Sequence, residues 1–223
     1  MSAKKICAII PAKAISKRIP GKNLKDLAGK PMIAYIIETA KSAQGIARVI
    51  VSTESEEIAN VARTYGAEVP FKRPKELTED GVTSQEVLLH AIKELESQNY
   101  QPDYILLLYP TSPLLRKERI EQAIALALEN DADSVISGSY DNGHYWVAQR
   151  EHWVRLFPKV LVNSQEAEPL FKENGAIYLT KTAILRRQIV ADHADVLIMG
   201  EDESIDVDYP EDFAAVEKKL RNL

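Results

Sequence analysis

The sequence predicts a three-layer α/β domain with a mostly parallel sheet, and three observations carry that prediction. Short apolar runs without alternation recur at residues 6–10, 49–51, 104–108, 134–136 and 176–179, the pattern of strands buried on both faces. Amphipathic helical segments stand between successive runs, so the chain reads strand, helix, strand in repeated units with right-handed crossovers. A length of 223 residues, 45% apolar and 27% charged, supplies enough core for a sheet with helices on each side.

The elements follow in order. After the first strand, Pro31 sits at the first turn of a helix carrying Ile33, Ile36, Ile37 and Ala40 on one face, ending near Gly45. Behind the second strand, Thr53 and Glu56 have capping-box spacing ahead of Ile58, Val61, Ala62 and Tyr65. Thr83 and Glu86 repeat that box before Val87, Leu88, Ala91, Ile92 and Leu95. Ile120, Ala123, Ile124, Ala127 and Leu128 mark another covering helix. Pro210 opens the last one, with Phe213, Val216 and Leu220 on one face and Lys218 and Lys219 at the favourable C-terminal end. The rhythm breaks at about 138–173, which holds Tyr140, His144, Tyr145, both tryptophans (Trp146 and Trp153) and Phe157. Two strand-like pieces there predict an inserted hairpin or arm whose aromatics either dock on their own domain or build a subunit interface. The whole chain, 1–223, is expected to be one domain with this arm inserted.

Charge narrows the function classes. Lys and Arg total 28 against 33 Asp and Glu, for a net charge of -5, which gives no global attraction to nucleic acid or anionic membrane. The single cysteine, Cys7, lies in the first apolar run and reads as a buried strand thiol and not a nucleophile. No apolar stretch has signal-peptide or bilayer-spanning length, so a soluble, cytoplasmic protein is expected.

Chemistry concentrates in two places. Residues 11–23 follow the first strand with Lys13, Lys17, Arg18 and Lys22 and no acid. A loop leaving the carboxyl end of a parallel strand is where open α/β sheets hold ligands, and cations there, with Ser16 and backbone amides, suit phosphate oxygens. Neither the dinucleotide glycine fingerprint nor GxxxxGK[ST] is present, and a solvated basic loop is the plainer alternative. Near the C-terminus Asp206 and Asp208 stand two apart. On an extended backbone both carboxylates face one way, as Mg²⁺ on a polyphosphate requires; turn or cap chemistry is the alternative. Together the two motifs suggest nucleotidyl transfer, with cations neutralising a triphosphate and an acceptor hydroxyl attacking the α-phosphorus. Arg73 is a candidate third phosphate contact, and Tyr109-Pro110-Thr111-Ser112-Pro113 ends the central strand with hydroxyls suited to orienting sugar or base.

Five segments in order, IIPAKAISKRIPGKNL (9–24), VIVSTESEEIANVARTYGAEVPFKRP (49–74), LLLYPTSPLLR (106–116), ENGAIYLT (173–180) and SIDVDYPEDF (204–213), resemble the CMP-sialic acid synthetases, the nonulosonate cytidylyltransferases, over nearly the full length. The resemblance implies a Rossmann-like nucleotidyltransferase fold that joins CTP to a nine-carbon 2-keto acid sugar with Mg²⁺ and releases pyrophosphate. It also implies a homodimer with an arm reaching the partner's site. Carried onto this chain, it puts Lys13, Lys22 and Asn23 at the nucleotide phosphates or ribose, Ser16 and Lys17 in the shaping of the loop, Arg73 at phosphate and Ser84 near cytosine or ribose. Asp206 and Asp208 would hold magnesium, with one helping to activate the sugar hydroxyl, so Lys22, Asp206 and Asp208 form the implied catalytic set. Tyr109, Thr111, Ser112 and Asn174 would face the acceptor, and Gln165 would meet the sugar bound in the neighbouring subunit.

This chain departs from the family pattern at Lys13 in place of arginine, Ile15 in place of glycine and Tyr109 in place of glutamine, and Ser164 stands where an arginine commonly precedes the glutamine. Lysine is a point charge without the bidentate fork, and Ile15 lacks the left-handed freedom of glycine. Tyr109 resembles the pseudaminate-activating branch, whereas Glu173-Asn174-Gly175-Ala176 resembles the sialate or legionaminate branch. A changed acceptor specificity is the expectation. The alternatives are a cytidylyltransferase for another acidic sugar such as a 3-deoxy-octulosonate, and a non-catalytic nucleotide-sugar binding protein.

Overall fold

The computed structural model describes residues 4–160 and 170–222. Its six-stranded sheet is built from β1 (Ile6–Pro11), β4 (Ile46–Ser52), β5 (Tyr104–Leu107), β6 (Ser134–Asp141), β9 (Leu170–Lys181) and β10 (Asp195–Ile198), in the spatial order β10-β6-β9-β5-β1-β4. Five strands point one way and β9 alone runs against both its neighbours. The mostly parallel sheet is therefore present, with one reversed strand in its middle. The reversal has a simple cause: the chain leaves along β6, makes the excursion, and returns as β9 beside β6, a hairpin path that only antiparallel pairing allows.

Alternate residues of the central strands serve opposite cores, which explains their unbroken apolar character. Ile6, Ala8 and Ile10 of β1 and Tyr104 and Leu106 of β5 pack in one cluster, while Cys7, Ile9, Ile105 and Leu107 pack in the other. The first layer is supplied by α1 (Met32–Ser42), α2 (Glu56–Thr64) and α4 (Lys117–Glu129), through Ile33, Ile36, Ile37, Ile58, Ala62, Ile120, Ala123 and Ile124. The opposite layer comes from α3 (Ser84–Ser97) and the short α5 (Thr182–Leu185), through Leu88, Ala91, Ile92, Leu95 and Leu185. Cys7 is wholly buried and its thiol is pushed up to about 12 by burial, the inert strand thiol expected.

The capping box at Thr83 and Glu86 is present, the threonine hydroxyl accepting from the Glu86 amide at 3.3 Å and the Glu86 carboxylate from the Thr83 amide at 2.7 Å. At α2 the expectation needs correction. Ser55 is the cap, accepting from the Ile58 amide at 3.3 Å, while Thr53 accepts from the Ser55 amide at 3.1 Å. The helix starts two residues later than the Thr-x-x-Glu spacing implies, because Thr53 is buried directly after β4.

A third cluster is smaller. Ile19 of the basic loop, Leu27 in the two-stranded ribbon of β2 (Asp26–Leu27) and β3 (Lys30–Pro31), Met32, Val207, and Phe213 and Val216 of α6 (Pro210–Leu220) pack together. Val207 is wholly buried and Ile19 nearly so, and burying such side chains contributes roughly 1.5–3 kcal/mol each. This cluster ties the loop after β1 to the segment bearing the two aspartates.

The excursion contains the hairpin β7 (Tyr145–Gln149) and β8 (His152–Phe157), paired with each other and with no other strand among the described residues. Trp153, Tyr140 and Trp146 are 70%, 61% and 48% exposed, so these aromatics do not dock on their own domain. At its root, Gly138 lies so close to β9 that an added Cβ would meet the Lys172 carbonyl at 2.2 Å. Only glycine permits that approach.

Candidate active site

The loops after β1, β4, β5, β6 and β10 meet at the carboxyl end of the parallel strands, the edge where open α/β sheets bind ligands. Two cavities open there. One, of about 200 Å³, is lined by Pro11, Lys13, Arg73, Thr83, Ser84 and Tyr109 among others. The other, of about 740 Å³, is lined by residues 139–142, residues 172–175, Glu201, Ser204 and Asp206.

The basic loop is held by groups that the sequence reading assigned to ligands or passed over. The Asn23 amide donates to the Lys13 carbonyl at 2.9 Å and is itself buried, so it closes the loop. Glu54, missed in the sequence, accepts from the Ala14 amide at 2.7 Å and from Arg73 Nη2 at 2.8 Å. Burial opposes its charge, but the Ala14 amide and the Arg73 guanidinium outweigh that and hold the carboxyl below its ordinary value. Arg73 is 4% exposed and also donates to the Ala12 carbonyl at 3.2 Å, while its Nε has no partner. It reaches the smaller cavity as a buried, largely committed cation. The signal for Glu54 is its place directly after a strand end, in a polar Thr53-Glu54-Ser55 run whose spacing by itself points only to a helix cap. Ile15 is 77% exposed and lies outside the left-handed region, where Gly21 sits at φ 64°. The glycine-to-isoleucine departure therefore demands no unusual backbone. Ser16 is half-buried in the loop, and Lys17 pairs with Asp80 at 2.5 Å across solvent.

The two motifs, read as separate poles in the sequence, are in direct contact. Arg18 Nη1 meets Asp208 Oδ2 at 2.6 Å, and Lys22 Nζ lies 3.5 Å from Asp208 Oδ1 while donating to the Val207 carbonyl at 2.8 Å. The stretch alternates exposed Asp206, buried Val207 and half-buried Asp208, which puts both carboxylates on the same side. The Val207 amide donates to the Thr111 carbonyl at 2.8 Å, pinning the stretch to the loop after β5. Asp206 opens onto the larger cavity with protein crowded behind it. Burial pushes its carboxyl up from the ordinary value against the lowering effect of the Thr111 hydroxyl, and the Asp208 charge adds to the rise.

Two hard oxygen donors, one free in a cavity and one paired with loop cations, fit a magnesium ion that takes only one or two protein carboxylates and completes its shell with phosphate and water. Among the described residues no group of three or more His, Cys, Asp or Glu is placed to form a self-sufficient metal cage.

In the smaller cavity, Ser84 Oγ and Tyr109 Oη are 2.6 Å apart, and Tyr109 packs edge-on against Tyr178. Burial pushes the Tyr109 phenol up, so it works as a neutral hydrogen-bonding wall. Ser84 and Tyr109, assigned to different substrates, thus act as one unit. Ser112 is buried in the turn after β5 and belongs to neither cavity wall, while Thr111 acts on Asp206. Asn174 lines the larger cavity but is fully engaged. Its carbonyl oxygen accepts from Ser137 Oγ at 2.6 Å and the Ala176 amide at 3.1 Å, and its amide donates to Ser204 Oγ at 2.9 Å. It holds the irregular Asn174-Gly175-Ala176 step of β9 that shapes the cavity. Gln165, with Ser164, lies outside the described residues.

Comparison with known proteins agrees with this geometry. The family model for cytidylyltransferases matches residues 7–218. The chain is 33% identical to the pseudaminic acid cytidylyltransferase of Campylobacter jejuni subsp. jejuni serotype O:2, over 98% of each chain. It is 34% identical to the CMP-N,N'-diacetyllegionaminic acid synthase of Legionella pneumophila, over 97% of this chain and 96% of that one. Among solved structures, CMP:2-keto-3-deoxy-manno-octonic acid synthetase complexed with CTP superposes with a TM-score of 0.74 at 18% identity, covering 98% of this chain and 99% of that one. No described helix is long and apolar enough to cross a membrane. A basic loop packed against paired aspartates at the carboxyl edge of the sheet, with a full-length family match, makes this chain a member of the cytidylyltransferase family.

Proposed function

We propose that the protein transfers CMP from CTP to the anomeric hydroxyl of a nonulosonic acid, releasing pyrophosphate, with Mg²⁺ as the metal. The observation that carries this reading is the contact of Arg18 and Lys22 with Asp208 beside an open Asp206, one locus with both the cations and the carboxylates such chemistry needs. The relatives named for pseudaminic and legionaminic acids support the acceptor class.

The cytosine and ribose enter the cavity walled by Ser84 and Tyr109, with Lys13 and Arg73 at the phosphate side. Lys13, Ser16, Lys17 and Lys22 neutralise the triphosphate, and Asn23 and Glu54 keep the loop in the conformation that presents them. The acceptor occupies the larger cavity, which has the volume of a drug-sized ligand site. As the hydroxyl oxygen bonds to the α-phosphorus, Asp206 takes its proton and the bond to the pyrophosphate oxygen breaks. Asp206 and Asp208 would hold the magnesium, which supplies charge neutralisation at the phosphate oxygens. Positioning and charge complementarity carry the rate.

The arm serves a homodimer, because a two-stranded hairpin is marginal by itself and this one leaves two tryptophans open to solvent. With CTP as co-substrate, the enzyme works in the cytoplasm.

The test is pyrophosphate release with CTP, Mg²⁺ and a panel of pseudaminic, legionaminic, sialic and octulosonic acids. Turnover with a nine-carbon acid, abolished by chelator, is the expected result. Turnover restricted to the octulosonate would move the acceptor class. A folded protein that binds CTP, seen as a thermal shift, but releases nothing across the panel would be a nucleotide-sugar binding protein instead.

A further inference from the structure

The acid-bearing segment begins in a feature that the mechanism does not use. The turn at Glu201–Glu203 buries the Glu203 side chain to 5% exposure between two arginines of the α4 N-terminal region. Arg116 donates to Oε2 from Nη2 at 2.8 Å and from Nε at 3.2 Å. Arg119 donates to Oε1 from Nε at 2.9 Å and from Nη2, and the Gly200 amide reaches the same oxygen at 3.3 Å. Each carboxylate oxygen thus belongs to one arginine, an arrangement that fixes the side chain in orientation as well as in place. A buried charge is costly unless it is paired in this manner, and no other part of the core requires a carboxylate here.

Both arginines follow directly on the loop after β5, whose Thr111 receives the Val207 amide on its carbonyl at 2.8 Å. The segment is fastened again at Ser204 by Asn174, at 2.9 Å. Beyond the aspartates, Asp212 accepts from the amides of Asp208 and Tyr209 at 3.1 and 2.7 Å. The stretch carrying Asp206 and Asp208 is therefore a short span held at both ends. The Glu203 clamp is the end that locks it to α4, and through α4 to the same loop that holds the Val207 amide beside Asp206.

We propose that Glu203, clamped by Arg116 and Arg119, is a positioning residue that sets the placement of Asp206 for metal and acceptor. The inference rests on the proposed cytidylyltransferase reaction. The geometry makes two demands. Charge and length at residue 203 govern how well the carboxylate pair binds a divalent ion, although Glu203 does not face that ion. The cavity walled by Ser84 and Tyr109 includes neither Glu203, its two arginines nor Asp206, so metal-free CTP binding is insensitive to it.

The test compares Glu203→Gln, Glu203→Asp and Arg119→Lys with the parent protein, well below each unfolding temperature. Binding of Mn²⁺ in the presence of CTP is read by water-proton relaxation, binding of CTP alone by calorimetry, and turnover as kcat and KM separately. The expectation for Glu203→Gln is about tenfold weaker Mn²⁺ binding with kcat reduced by a similar factor, the lower end of the range for outer-shell supports of metal sites. Metal-free CTP affinity should stay within about twofold, the scatter expected where no contact is shared. Arg119→Lys keeps a charge and should recover part of both losses, and it supplies the measurement if Glu203→Gln does not fold. Lower thermal stability with Mn²⁺ affinity and kcat within about twofold of the parent would overturn the proposal and leave the cluster a fold support. Absence of turnover in the parent protein would count against the proposed reaction, and the Mn²⁺ comparison would still decide the role of Glu203.

Discussion

Replacing Glu54 by glutamine isolates the support beneath the nucleotide loop. The Glu54 and Arg73 side chains are 12% and 3% exposed and meet at 2.8 Å, and removing one partner of a buried pair costs about 3–5 kcal/mol. Glutamine retains one acceptor oxygen for either the Ala14 amide or Arg73 but turns a donor towards the other, so a loss of about 3 kcal/mol is expected. For a chain of this size each kcal/mol lowers the midpoint by about 2–4 °C, giving about 6–12 °C. Thermal unfolding by circular dichroism measures it, with Glu56→Gln as the reference. Glu56 pairs with Arg63 at 2.9 Å with both side chains largely in water, where such pairs contribute about 0–1 kcal/mol.

The sign of the pH dependence follows from the lowered Glu54 carboxyl. A depressed folded value stabilises above the unfolded carboxylate value and fades as pH falls through the folded one. The gap between parent and Glu54→Gln should therefore narrow on acidification. Midpoints of the two glutamine variants within about 2 °C of each other at neutral pH, less than 1 kcal/mol on this scale, would refute the argument that the buried pair holds the loop.

Three further outcomes follow. Asp206→Asn and Asp208→Asn, made separately, should each lower turnover by about 100-fold or more, since charge stabilisation at phosphoryl oxygens supplies several kcal/mol; far-ultraviolet circular dichroism should be unchanged, and undiminished pyrophosphate release would remove the magnesium role. Trp146→Ser with Trp153→Ser should shift the protein towards monomer in light scattering after size exclusion, with little loss of secondary structure because both side chains are already open to solvent. Thr83→Ala removes the α3 cap and should cost about 1 kcal/mol, and because Ser84 is the next residue it should also weaken CTP binding, measured by calorimetry.

Most of the fold was legible because it depends on short-range pattern. The unalternated runs of β1 and β5 announce strands with a core on each face, and the Thr83 box and Pro210 mark helix starts through local hydrogen bonding and a fixed φ. β10 was missed because it is a four-residue edge strand with Val196 43% exposed, too short and too wet to stand out. β9 was seen only in part. Its direction depends on where the excursion returns the chain, which no local pattern records, and its first half pairs with the extension of β6 that carries the arm.

The site was legible in residue type and not in partnership. Local spacing alone marked residues 13–22 as a cation loop and Asp206 and Asp208 as paired acids, and the resemblance added their chemistry. Nothing local could reveal that Ile19 and Val207 share one apolar cluster and so press Arg18 and Lys22 onto Asp208. Nor could it show that Glu54 and Glu203 are buried against arginines 19 and 84 to 87 residues away in sequence. Periodicity and composition act over a few residues, so the sequence by itself determined the elements and the kinds of charge each loop carries. Which charges meet is decided by long-range apolar packing and by the cost of burying an unpaired ion, and only the tertiary structure settles those.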